Sequence, residues 1–391
     1  MTETFRARMV FQTRDDPSNM PQLRTRILLG LCALLALMPV ADADAAQSSK
    51  KAIWGPVRVG GVSQFPIYRD LRVGIWETRV SWATVTPTRP TDPRDPSDPA
   101  YRWPADLDDA VAEGKRYGIR VAVVLTESPR WASGHRLLHW APRRPSDFAD
   151  FAYAASKRYP YVRLWMVWSE PTRHENFRPM VRERRKRGVR RVFPLTRRMQ
   201  KAPRRYARIL DAAYGSLKLA SQRNVVIGGN SFTTGDISPF NWIRNLRLPN
   251  GKPPRLDMYG HNPFSARRPL LNRPPIRQGF ADFSDLDLLA GWVDRYLGRP
   301  RGRRGIKLFL SELFWPTDHA NHEFNFWVTR KTAASWLSDA LRITRRWPRI
   351  YTLGWLSLYD DPRNEDGDDV HRGLLTRGGR KKPAYWAYKR G

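Results

Sequence analysis

The stretch Arg163-Leu164-Trp165-Met166-Val167-Trp168-Ser169-Glu170-Pro171-Thr172 decides how the rest of the chain is read. Leu164 to Trp168 is an unbroken apolar run of strand length, which suits a parallel strand buried on both faces. Pro171 stops it, so Glu170 falls where the strand opens into a loop. One other stretch has this shape: Ile306-Lys307-Leu308-Phe309-Leu310-Ser311-Glu312-Leu313-Phe314-Trp315 delivers Glu312 at the end of a second apolar strand. Two strand-end glutamates make a candidate acid/base pair if the fold brings those ends together.

Strand-like and helix-like segments alternate on either side. Residues 57–65 read as the first strand, with Gly60-Gly61 inside it, and 75–82 as the second, with Arg79 near its end. Later strands fall at 120–125, 164–168, 225–229, 256–260, 306–312 and 352–358. Helical stripes or short links fill each interval, for example 106–117 closed by Gly118, a helix opened by a Ser146 or Asp147 cap, and 285–297. Eight strands with right-handed crossovers predict an α/β fold, a (β/α)8 TIM barrel forming a single catalytic domain over 46–391, whose post-strand loops build the active face. An open doubly wound sheet fits less well, because no Gly-rich phosphate loop follows strand one.

With 391 residues, 41% of them hydrophobic, one barrel with insertions accommodates the whole chain. Arg24 and Arg26, the apolar run at 27–41 and Ala43-Asp44-Ala45 have the layout of a secretory signal peptide over 1–45, so a secreted or cell-envelope location is expected. About 15 apolar residues fall short of the roughly 20 a membrane-spanning helix needs. Cys32 is the single cysteine and lies inside that segment, which leaves the remainder without disulfides, thiolate nucleophiles or Cys-ligated zinc. The formal charge is +32. No nucleic-acid-binding motif accompanies it. A basic insertion falls at about 173–202, and the densest cluster, 181–205, overlaps it and is a solvated surface loop or a contact for an anionic polymer.

Strands four and seven of a barrel stand on opposite sides of the mouth. Carboxyls about 5 to 5.5 Å apart suit double displacement at a sugar carbon, with the acid kept protonated and the nucleophile ionised. Trp82, Trp131, Trp168, Trp315 and Trp355 gather at strand exits, where their faces offer stacking surfaces for a carbohydrate. Glu127, Asp236, Asp318, Asp360 and Asp361 read as loop caps or ion-pair partners. His135 with His139, and His319 with His322 and Glu323, match no metal motif, and no Gly-x-Ser-x-Gly elbow is present. No metal and no cofactor are expected.

Trp168-Ser169-Glu170-Pro171 resembles the Trp-Asn-Glu-Pro signature that ends strand four in glycoside hydrolase clan A, the group containing families 5 and 39, and Leu310-Ser311-Glu312 resembles its strand-seven nucleophile motif. The likeness extends to Arg79 with Trp82, to 129–132, to the strand-six exit and to Trp355. It implies that Glu170 is the acid/base, Glu312 the nucleophile, Trp355 the floor of the sugar subsite and Arg79 a support for the nucleophile. Trp82, Trp131, Ser169, His261, Asn262 and Trp315 would complete the substrate site. Two positions depart from the pattern: Ser169 replaces Asn, and His261-Asn262-Pro263-Phe264 replaces His-Pro-Tyr. The expectation is a monomeric, secreted, retaining glycosidase acting on a β-linked glycan or glycoside. The alternative is a catalytically degenerate glycan-binding or envelope-associated protein on the same barrel.

Overall fold

The structure is a computed structural model that describes residues 48–391 except 186–191, 272, 277–278, 299–304, 321–324 and 364–368. The expected signal peptide, Cys32, His322 and Glu323 lie outside the described residues.

Eight parallel strands close into a barrel: β1 (Ser48–Trp54), β2 (Val73–Ser81), β3 (Arg120–Thr126), β4 (Leu164–Val167), β5 (Val225–Phe232), β6 (Met258–Asn262), β7 (Lys307–Leu313) and β8 (Ile350–Leu356). β1 closes the ring by pairing on both sides, Ile53 lying opposite Trp76 of β2 and Trp355 of β8. A helix follows each strand: α1 (Phe65–Asp70), α2 (Ala105–Tyr117), α3 (Pro145–Arg158), α4 (Lys201–Ala220), α5 (Pro239–Asn245), α6 (Leu286–Leu297), α7 (Arg330–Arg346) and α8 (Pro383–Arg390). Local chemistry fixes their ends. Proline opens α3, α5 and α8, where a missing N–H costs nothing. Ser238 and Thr329 cap α5 and α7 by accepting from Asn241 N and Thr332 N. Gly118 stops α2 at φ +65°. No helix among the described residues is long and apolar enough to cross a membrane.

The first strand differs from the sequence reading. Residues 57–65 hold a small antiparallel hairpin, Arg58–Val59 against Val62–Ser63, turning on Gly60 and Gly61 at φ +55° and +79°. The barrel strand lies earlier, in a stretch whose serines and lysines hid it. Lys51 is 1% exposed; its stem is buried and its ammonium donates to Tyr388 O at 2.7 Å beside the Tyr388 ring. Ser146 and Asp147 fall inside the first turn of α3 rather than at its cap.

Apolar side chains divide by strand alternation. Ala52, Ile75, Ala122, Val124, Leu164, Met166, Ile227, Met258 and Phe309 fill the barrel interior. Trp76, Val123, Trp165, Val226, Tyr259, Leu308 and Leu310 point the other way and pack under the helices. Burying each such large side chain contributes roughly 1.5–3 kcal/mol. The apolar filling gives way to polar residues at the C-terminal end of the barrel.

Candidate active site

β4 ends in two residues that L side chains rarely support, Trp168 at φ +65° and Glu170 at φ +40°. The surroundings hold them there. Trp168 donates its backbone N–H to Leu125 O at 2.8 Å and its indole N–H to Asn176 O at 2.8 Å, and its carbonyl accepts from Asn230 Nδ2 at 2.6 Å. The turn that results points Glu170 into the mouth at 6% exposure. Its Oε1 accepts from Asn262 Nδ2 at 2.9 Å, and its Oε2 from Arg173 at 3.0 Å and Asn176 Nδ2 at 3.4 Å. All three are donors, so the cradle is matched to a carboxylate.

Glu312 reaches the mouth by a different device. Between Leu353/Leu310 and Trp355/Leu313 the register slips, so β7 spends three steps where β8 spends two. That is a β-bulge. Simple alternation would turn Glu312 outward with Leu310; the extra residue lets Leu310 and Leu313 both face the helices while Glu312 faces the mouth. No described residue donates a hydrogen bond to it. Burial, and then the charge of Glu170, raise its pKa to about 7, against the opposing pull of Arg79, Arg372 and Arg173. The two carboxyls therefore sense one another, and in the free site the one pushed toward its protonated form is Glu312. Glu170 is hydrogen-bonded by three donors and Glu312 by none among the described residues.

A third carboxyl, absent from the sequence reading, lies inside the barrel. Glu77 on β2 is 1% exposed and accepts from Ser311 Oγ at 2.8 Å. Burial first, and the charge of Glu312 as well, hold its pKa well above the usual carboxylate range, which favours its neutral form. Gly354 of β8 makes room: a Cβ there would meet Ser311 O at 1.9 Å and Glu77 Oε1 at 2.4 Å.

Arg79 and Ser169 are brought to the same place, Arg79 donating to Ser169 Oγ at 3.1 Å. Asn262 joins them through Glu170. His261 does not. It lies on the outer face of β6, fully buried, with Ser231 Oγ at 2.8 Å from Nδ1 and Ala281 O at 2.9 Å from Nε2. Burial lowers its pKa to about 4, so it is a neutral structural residue.

The tryptophans also depart from expectation. Trp82, Trp168, Trp315 and Trp355 are at most 1% exposed. Trp82 stacks on Phe151 of α3 at 5.5 Å, and Trp315 meets Trp336 of α7 at 5.6 Å and Trp355 at 6.0 Å. The rings lie in the layer under the helices, where they add core area and present no stacking face, and Trp355 forms no open floor. Trp131 is half-buried, with its indole N–H on Thr86 O at 2.8 Å and Arg89 over its face at 4.6 Å. Phe232, Phe264 and Phe314, from the ends of β5, β6 and β7, line a cleft of about 430 Å³. Their centroids are 5.5 and 5.0 Å apart in sequence order, and Arg173 and Arg372 lie over Phe232 and Phe314 at 4.9 and 5.0 Å.

Most of the spare carboxylates are committed. Asp236 pairs with Arg182, Asp318 with Arg330, Asp360 with the buried Lys382 and Asp361 with Arg372. Glu127 is half-buried at φ +65° at the exit of β3. His135 and His139 lie in a loop and enter no ligand cluster among the described residues. Part of the basic cluster, 186–191, lies outside the described residues. Lys201, Arg204, Arg205 and Arg208 line a groove of about 630 Å³ with Arg247, and no described carboxylate pairs with them.

A (β/α)8 barrel with two mutually interacting carboxyls at the ends of β4 and β7 is the class of protein this geometry defines. No family model matches the chain, and no curated protein sequence does. Solved structures do match in fold. A family 39 glycoside hydrolase from Bacteroides cellulosilyticus WH2 superposes with a TM-score of 0.60 at 15% identity over 88% of this chain and 63% of that one. A glucosidase from Croceicoccus marinus gives 0.61 at 14% over 88% and 65%. A monomeric beta-xylosidase from Caulobacter crescentus CB15 gives 0.57 at 14% over 87% and 67%. The chain thus spans just under two-thirds of the first two, and shares the (β/α)8 barrel fold with all three.

Proposed function

We propose that this protein is a secreted glycoside hydrolase that cleaves a β-linked glycan or glycoside with retention of configuration. The observation that carries the reading is the placement of two glutamates at the C-terminal ends of β4 and β7 of one closed barrel, with the charge of Glu170 among the causes that raise the Glu312 pKa. The phenylalanine-lined cleft at the ends of β5, β6 and β7 and the fold shared with glycosidases support it.

In the first step a carboxylate oxygen of Glu312 bonds to the anomeric carbon while the bond to the leaving oxygen breaks and that oxygen takes the proton of Glu170. In the second, Glu170 removes a proton from water, the water oxygen bonds to the anomeric carbon, and the bond to Glu312 breaks. The active form holds one proton on the pair. Attack requires that proton on Glu170, and the apparent pKa belongs to the pair rather than to either residue. Arg79, Arg173 and Arg372 favour the ionised nucleophile. Loss of the shared proton makes kcat/KM fall as pH rises beyond about 7.

The test is hydrolysis of aryl β-glycosides with the anomer of the first product followed by NMR. A β-anomer formed first supports retention, whereas direct release of the α-anomer removes the double displacement. A second reading, a glycan-binding protein without turnover, is favoured by the Ser169 hydroxyl being occupied by Arg79. Binding of a glycan panel with no product from any member would establish it. Burial and the neighbouring Arg208 push the Arg205 pKa down, and burial lowers that of Arg247, so the basic groove gains from an anion. Heparin affinity that collapses with added salt would assign it to an anionic polymer, and salt-insensitive binding would remove that role.

A further inference from the structure

The loops after β7 and β8 meet beside the mouth, where Thr317 donates its N–H and its hydroxyl to His371 O at 3.0 and 2.9 Å. Next to that contact the His319 and His371 rings stand 4.7 Å apart with Asp369 between them. His319 Nε2 lies 3.1 Å from Asp369 Oδ1, and His371 Nε2 lies 3.2 Å from Asp369 Oδ2. Grouping His319 with His322 and Glu323 by sequence missed this arrangement, because His319 finds its partners about fifty residues away.

The other nitrogen of each ring is already used. His371 Nδ1 is 2.8 Å from Asp318 Oδ2, and that carboxylate is held by Arg330 at 2.8 Å. His319 Nδ1 is 3.0 Å from Ala320 O. A carboxylate or carbonyl oxygen accepts only, so each Nδ1 carries a hydrogen, and the tautomer this selects turns an Nε2 lone pair inward. Two such lone pairs and a carboxylate oxygen converge within 4.8 Å of one another, a ready ligand set for one cation. Atoms bound at about 2.0–2.1 Å to one tetrahedral ion stand about 3.3 Å apart, and each Nε2 here already lies 3.1 or 3.2 Å from one of the two Asp369 oxygens. Ligand histidines are commonly oriented by a carboxylate or carbonyl on the far nitrogen, as both are here.

We propose that His319, Asp369 and His371 form a binding site for one divalent first-row transition ion of the Zn²⁺ type. Two imidazoles and one carboxylate select such an ion over Ca²⁺ or Mg²⁺, which take oxygen ligands. Three protein ligands leave a fourth position for water. The ion clasps the β8 loop to the β7 loop, one residue from Arg372, which sits over Phe314 at the rim of the cleft. The site does not depend on the hydrolase reading.

The test uses the full chain without an affinity tag, stripped with a chelator and titrated with ZnCl₂ by calorimetry, with metal content measured after dialysis. One Zn²⁺ per chain is expected. His319→Ala and His371→Ala should each weaken binding by about a hundredfold or more, and Asp318→Asn by about tenfold to a hundredfold. Co²⁺ in place of Zn²⁺ should give the visible absorption of a tetrahedral site, lost in His371→Ala. Failure of the parent chain to take up stoichiometric Zn²⁺ overturns the proposal and leaves two protonated histidines paired with Asp369 as the resting arrangement. Undiminished affinity in Asp369→Asn also overturns it, and that change keeps the loop backbone should His371→Ala fail to fold.

Discussion

At the end of β4, Glu170 follows Trp168-Ser169 and accepts hydrogen bonds from Asn262, Arg173 and Asn176. At the end of β7, Glu312 follows Leu310-Ser311, takes no hydrogen bond from any described residue, and sits near the buried Glu77, whose pKa is also raised, with its own raised to about 7. The two exits look alike in sequence and differ in everything contributed from elsewhere. β4 aims its carboxylate by backbone strain at Trp168 and Glu170, and β7 aims its own by an extra residue in the strand. Burial and neighbouring charge set the Glu312 pKa, while donors from other strands and loops hold Glu170, so one residue type meets two environments.

The largest test of this contrast is chemical. Glu312→Gln and Glu170→Gln should each lower turnover of an aryl β-glycoside by about 10²–10⁴ or more. A variant within tenfold of the parent would mean that its carboxyl takes no part in bond breaking. Next is the bulge: Gly354→Ala puts a methyl against Ser311 O and Glu77, and should cost about 3 kcal/mol in urea unfolding. An unchanged midpoint would show that the β7 end has slack.

The third test is protonic. Glu312 has a raised folded-state pKa, so the proton it keeps stabilises the fold fully below the unfolded value near 4.5, and this stabilisation is lost as pH rises through about 7. Glu312→Gln should therefore be more stable than the parent at pH 8 by roughly 3 kcal/mol, with no difference at pH 4. Equal stabilities at both pH values would contradict the raised pKa. Arg173→Ala gives the smallest effect. It removes one of three donors to Glu170 and one of three charges that lower the Glu312 pKa. About tenfold slower turnover is expected, with the alkaline fall in kcat/KM moved to higher pH. A profile that stays in place would uncouple Arg173 from the pair.

The barrel was legible because parallel strands buried on both faces write themselves as apolar runs, and helix stops such as Gly118 are local. Strand one was misread because its lysines and serines look like a linker, while the glycine hairpin after it resembles a strand; only α8, more than three hundred residues away, explains why Lys51 can be buried. The two glutamates could be found because each closes an apolar run. Arg173 and Asn176 could not, since a loop of that composition does not announce which way it turns. Glu77 left a faint signal, a lone carboxylate in an otherwise apolar stretch of β2. The tryptophans misled because residue type does not report side-chain direction, and one register step decides whether a ring faces a cleft or a helix.

The β7 bulge has a consequence for how such a molecule can change. Leu310 and Leu313 keep their seats against the helical shell however the residues between them are arranged. The chemistry at the rim and the mortar of the wall are thereby written in adjacent letters, so substitutions at Glu312, unlike those at Ser311 whose hydroxyl serves the buried Glu77, can be explored by evolution or by an engineer without first rebuilding the scaffold behind them.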